Sequence, residues 1–128
     1  MSAVGERIAC AALATVGARF RLHGRDPAQG LDCVGVVAVA LRAGGHGGAV
    51  PSGYALRGGD PAAVLDAALE RCDGGAVGDV LLMATGPGQR HLAVRTARGF
   101  VHADAGLRRV VERPGAPWPV IGAWRMGG

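Results

Sequence analysis

Cys33 stands between a polar, glycine-bearing stretch and an apolar run over 34–41, and it directly follows Asp32. An Asp at a helix N-cap accepts hydrogen bonds from the free N–H groups of the first turn. The thiol next to it then lies at the positive end of the helix dipole, which favours the thiolate. A cysteine nucleophile needs that ionised form. Two histidines supply the matching chemistry. His91 opens an apolar stretch after Gly86-Pro87-Gly88-Gln89-Arg90, and His102 lies near the end of the following one. With Thr96-Ala97-Arg98-Gly99 as the turn between them, they fall on neighbouring strands at the same end. Cysteine, histidine and a second polar group make a nucleophile, a base and an orienter. His91 would take the thiol proton and later return it to a leaving amine, while His102 would hold its tautomer. Plainer readings stay open on these residues alone. Free cysteines are often inert core residues, and strand-end histidines are often only hydrogen-bonded. Cys33, His91 and His102 are also ligand types that suit zinc, although their spacing matches no short-range zinc motif.

The elements that must position these side chains follow from hydrophobic period. Val4, Ile8, Ala12 and Val16 recur every four residues and predict a first helix ending near Gly17. Residues 18–30 read as a polar loop leading to Asp32. Four valines over 34–41 would suit a strand, but the Asp32 cap and apolar positions 36, 37, 40 and 41 favour a buried helix ending at Gly44-Gly45. A glycine-rich loop is expected over 44–60. A third helix is expected from Asp60 to Arg71, with Asp60 as cap and Pro61 in its first position. Beyond Gly75, apolar runs near 80–84, 91–95, 100–103, 108–112 and 120–125, with turn residues between them, predict an antiparallel meander of about five strands. Helices followed by strands give an α+β fold, and no internal repeat or linker divides the 128 residues, so one domain over 1–128 is expected.

Composition narrows the classes. The chain carries a net charge of +4, and all 14 of its basic residues are arginine, spread from Arg7 to Arg125 without a dense run. That argues against a nucleic-acid arm. Three cysteines without a CxxC pair exclude the zinc-ribbon and thioredoxin patterns and leave at least one thiol free. Cys10 lies off the first helix's apolar stripe and reads as a bystander, and Cys72 as core-facing or at a helix end. No apolar stretch is long enough to span a bilayer. The N-terminus makes a poor signal peptide, so synthesis in the cytoplasm is expected.

Five blocks in order, RFRLHG, GLDCVGVV, GDVLLM, RHLAVRT and GFVHA, resemble the NlpC-type cysteine peptidases, cell-wall endopeptidases with a reduced papain-like fold. The resemblance runs from about Ala18 to Trp124. It implies Cys33 as nucleophile, His91 as base and His102 as the orienting residue, with no cofactor. It also implies peptidoglycan or muropeptide as substrate, cut between γ-D-glutamate and the diamino acid. Asp32 is a cap and loop organiser bordering the substrate with Phe20, and Arg21, Tyr54 and Arg57 are candidates to meet wall-peptide carboxylates. Three positions depart from the family pattern: Phe20 for a Tyr, Val34 for a Ser, and His23 for the first Gly of a Gly-Gly pair. These bear on substrate preference more than on the triad. A bare catalytic domain needs a route to the wall, and delivery on a phage-tail-like particle is the expectation. The competing readings are a thiol amidase or acyltransferase on a non-wall substrate, and a non-catalytic wall-binding or tail module.

Overall fold

The computed structural model describes residues 2–45, 61–87, 89–115 and 117–127. Ser2 caps the first helix, α1 (Ala3–Ala14), its hydroxyl accepting the Gly5 N–H at 2.9 Å. Asp32 caps the second, α2 (Cys33–Ala43), which ends at Gly44 as its sequence predicts. The loop ahead of it contains a two-residue hairpin, β1 (Arg25–Asp26) with β2 (Gly30–Leu31). Strands this short leave no hydrophobic alternation to read.

The third helix, α3 (Pro61–Ala68), is shorter than expected. Glu70–Arg71 instead form a short strand, β3, paired with Trp124 and Arg125. The expected cap, Asp60, and most of the 44–60 loop lie outside the described residues. Four longer strands then follow one another as a meander: β4 (Val80–Gly86), β5 (Gln89–Arg95), β6 (Gly99–Asp104) and β7 (Arg109–Pro114). The last strand, β8 (Val120–Arg125), departs from the meander. It crosses back to pair with β4, giving an antiparallel sheet of six strands in the order β3-β8-β4-β5-β6-β7. The α+β class holds; the main sheet has six strands where about five are expected, the β1–β2 hairpin is separate from it, and the final connection is non-local.

Apolar side chains divide between the two sheet faces. Leu82, Leu92, Val94, Val101 and Ala103 join the buried residues of α1 and α2, while Leu81, Met83, Ala93 and Phe100 form a second cluster on the other face. This split follows from the period-2 alternation of strand side chains. The outer edge strand β7 is covered by residues 17–20, whose backbone bonds to Val110 and Arg108. Two of the glycines required by close approach lie where the helices meet their neighbours. A Cβ on Gly35, in the first turn of α2, would lie 2.1 Å from the Gly24 carbonyl oxygen. A Cβ on Gly78, which has a φ of +91°, would lie 2.3 Å from that of Gly5. Gly35 thus lets the loop sit directly against the helix end that carries Cys33. No helix among the described residues is long and apolar enough to cross a membrane.

Candidate active site

Asp32 organises the entrance to α2. One carboxylate oxygen accepts the Gly35 N–H at 2.8 Å and the Arg25 guanidinium at 2.8 Å, and the other accepts the His23 N–H at 2.8 Å. His23 has a φ of +62°, a left-handed conformation that glycine adopts more readily. The carboxylate therefore ties the turn at His23 to the helix N-terminus, with its oxygens engaged by protein groups.

Cys33 is the first residue of α2 and only 4% exposed. Burial pushes its thiol up to about 11; the backbone N–H of Leu92 opposes this, Asp32 adds to the rise, and the N–H groups of Val34 and Cys33 itself oppose it. The thiolate favoured by the helix end is thus outweighed, because desolvation penalises the charged form more than the nearby N–H groups support it. At neutral pH the thiol is protonated. Its contact with the Leu92 N–H has a structural reason. The β5–β6 ladder is limited to Val94↔Val101 and Arg95↔Phe100, so Leu92 lies beyond the paired stretch. The thiol meets β5 one residue from His91.

The structure brings the two histidines together. His91 Nε2 lies 2.7 Å from His102 Nδ1, and the rings meet edge-on with centroids 4.8 Å apart. Trp118 packs against both, at 6.3 Å from His91 and 5.6 Å from His102, and Phe100 packs against His102 at 5.2 Å. His102 is 2% exposed. Burial lowers its pKa to about 4, with His91 and Arg113 adding to the fall and Asp104 opposing it. His91 is also lowered, by burial, against an opposing pull from Asp104. Both rings are neutral at pH 7. Among the described residues no hydrogen bond joins His91 to Cys33. With Nε2 held by His102, Nδ1 is the ring atom left for proton exchange.

Three further residues complete the arrangement. Arg113 Nε donates to His102 Nε2 at 3.1 Å, and a terminal nitrogen of the same guanidinium donates to Asp104 at 2.8 Å. The guanidinium also lies over the Trp118 ring, 5.7 Å from its centroid. A cavity of about 550 Å³ opens beside the histidines, with Gln89, Arg90, Asp104 and Trp118 in its lining. Sequence reasoning missed Asp104, Arg113 and Trp118. Asp104 carried a signal, since it lies two residues beyond His102 on the same strand face; the other two are placed by long-range pairing and packing.

Among the described residues, the expected substrate contacts Phe20 and Arg21 do not line the cavity beside the histidines. Phe20 is half-buried against the helix-side core. Arg21 is exposed, donates weakly to Gln29 at 3.4 Å, and borders a separate cavity of about 400 Å³ with His23 and Arg25. Tyr54 and Arg57 lie outside the described residues. For zinc, Cys33 does not gather with the histidines. Among the described residues the group whose ligand atoms lie within 4.8 Å of one another is Cys72, Asp73 and Asp79, and there Arg125 binds both carboxylates.

No protein-family model matches the chain, and no curated protein matches it. Solved structures do. NlpC2 from Trichomonas vaginalis aligns with a TM-score of 0.74 at 19% identity, over 98% of this chain and 49% of its own. NlpC1 from the same organism gives 0.72 at 19% identity, over 94% and 44%. The NlpC/p60 domain of the peptidoglycan hydrolase SagA gives 0.65 at 23% identity, over 95% and 98%. The chain therefore spans about half the length of the two Trichomonas vaginalis structures and nearly all of the SagA domain.

Proposed function

From a chain that has the NlpC/p60 fold, we propose a cysteine hydrolase of the NlpC type that acts on peptide bonds of peptidoglycan. One observation carries the reading: a helix-terminal cysteine touches β5 at Leu92, directly beside a histidine whose outer nitrogen is held by a second histidine. The likeness to a domain of a peptidoglycan hydrolase supports the substrate class. The bond between γ-D-glutamate and the diamino acid is the finer part of the proposal. So is carriage to the wall on a phage-tail-like particle, which rests on the Asp-Cys-Val-Gly form of the motif.

In the reaction, His91 Nδ1 takes the Cys33 proton as sulfur attacks the scissile carbonyl. Negative charge develops on the carbonyl oxygen, for which the backbone N–H of Cys33 at the helix N-terminus is the donor in this proposal. Collapse of this intermediate breaks the C–N bond, and the imidazolium returns its proton to the departing amine. Water, deprotonated by His91, then cleaves the thioester and regenerates the thiol. His102 supports the charged imidazole through the 2.7 Å contact. Digestion of intact peptidoglycan and soluble muropeptides under reducing conditions tests the proposal. New termini at the γ-D-glutamyl bond, absent with Cys33→Ala, are expected. No cleavage by folded, reduced protein would overturn it in favour of a non-wall substrate or a binding module.

A further inference from the structure

We propose that Arg113 and Asp104 form a tautomer switch for the histidine pair, in which Arg113 holds the form that cannot take the Cys33 proton and Asp104 is the acceptor for the form that can. The inference rests on the roles given to Cys33 and His91 above. Of the two bonds that bind the His102 ring, the one from Arg113 has a fixed direction. A guanidinium Nε always carries hydrogen and never accepts. Because Arg113 Nε donates to His102 Nε2, that nitrogen presents a lone pair. A neutral imidazole has a single N–H, so the His102 proton is on Nδ1. From there it is donated across 2.7 Å to His91 Nε2. His91 is then also an acceptor at Nε2, and its own proton is on Nδ1. Every ring lone pair of the dyad is in use, and the nitrogen available to Cys33 already bears hydrogen.

The competent form has the same total of protons in other places. His91 loses the Nδ1 proton and gains the shared one at Nε2, and His102 gains one at its own Nε2, with water carrying the difference. The dyad stays neutral, and His91 Nδ1 now offers a lone pair. In that form the His102 Nε2–H would face the Arg113 Nε–H, donor against donor. The acceptor in reach is Asp104, whose oxygen lies 3.9 Å from His102 Nε2. Asp104 already holds the other arm of the same guanidinium at 2.8 Å. The Arg113 side chain is 39% exposed, so its guanidinium has solvent to swing into while its arm to Asp104 and its place over Trp118 keep it near. A swing of the guanidinium away from the imidazole hands His102 to Asp104 and moves the dyad into the competent form. Arg113 is thus a positioning residue that acts through His102. The protonated thiol and neutral rings fit the resting arm of this switch.

Long-range ¹H–¹⁵N spectra of the imidazoles at neutral pH read the tautomers directly, and alkylation of Cys33 by iodoacetamide, followed by peptide mapping, reads the consequence. Wild-type protein is expected to show His102 protonated at Nδ1. Arg113→Met should move the proton to Nε2 and speed Cys33 alkylation by about tenfold, the effect of a one-unit fall in apparent thiol pKa. Arg113→Lys keeps a donor and should keep the wild-type pattern. A wild-type His102 protonated at Nε2, or an Arg113→Met protein with unchanged spectra, overturns the switch. These readouts are independent of substrate. Peptidoglycan left uncut by a protein with the expected tautomers would sink the hydrolase reading alone. Cys33-dependent cleavage with unmoved tautomers would sink only the switch.

Discussion

Two arginine–aspartate pairs lie toward opposite edges of the sheet, Asp79 with Arg125 near β3 and Asp104 with Arg113 near β7, and they do different work. Asp79 is 1% exposed; it accepts Nε and a terminal nitrogen of Arg125 at 2.9 Å each, and the Ala76 N–H at 2.9 Å. Both arms of the guanidinium fork serve this buried carboxylate, and one of them also reaches the exposed Asp73 at 3.3 Å. At the other edge, Asp104 takes one arm of Arg113 and the Leu107 N–H, while the remaining arm goes to an imidazole. The first pair fastens the start of β4 to the end of β8. The second places a fixed hydrogen-bond donor on a group that can change which nitrogen it protonates. Sending one arm of the fork to histidine converts a structural tie into a control on proton position.

The largest difference should appear on removing each pair. Asp79→Ala deletes a buried acceptor and strands the Ala76 N–H, and a loss of about 2 kcal/mol in urea unfolding is expected. A smaller effect separates the edges on acidification. Both histidine pKa values are lowered by folding, so the unfolded chain binds more protons between about pH 4 and pH 6.5. The contribution is fully present above the unfolded value and is lost as pH falls through that window. Urea midpoints should therefore drop between pH 7 and pH 5, with a shallower slope in His102→Gln; an equal slope in the two proteins would place the proton uptake elsewhere. The smallest effect is the stability cost of Arg113→Met, under about 1 kcal/mol for a part-exposed pair. A cost as large as that of Asp79→Ala would erase the distinction.

The parts of this architecture that were legible in sequence are those written locally. The Asp32 cap, the apolar positions of α2 and the strand runs each depend on neighbours a few residues away. The facing of His91 and His102 followed from one short connection. What could not be read depends on the folded whole. The return of β8 to β4 is a pairing across some 40 residues of chain, with no local mark. Arg113 reaches His102 because β7 lies beside β6, and Trp118 reaches both rings from a loop beyond. The acidity of Cys33 is illegible in sequence for the same reason. A helix end is visible in sequence, but the burial that outweighs it is a property of tertiary packing.

The central claim is that Cys33 carries the acyl group of a wall peptide, and trapping that group tests it most directly. Wild-type protein would be mixed with a muropeptide, quenched in acid within the turnover time, digested and mapped by mass spectrometry. The account predicts a thioester on the peptide containing Cys33, none on those containing Cys10 or Cys72, and no adduct in His91→Ala. Hydrolysis that proceeds without a Cys33 adduct, and that persists in Cys33→Ala, would contradict it.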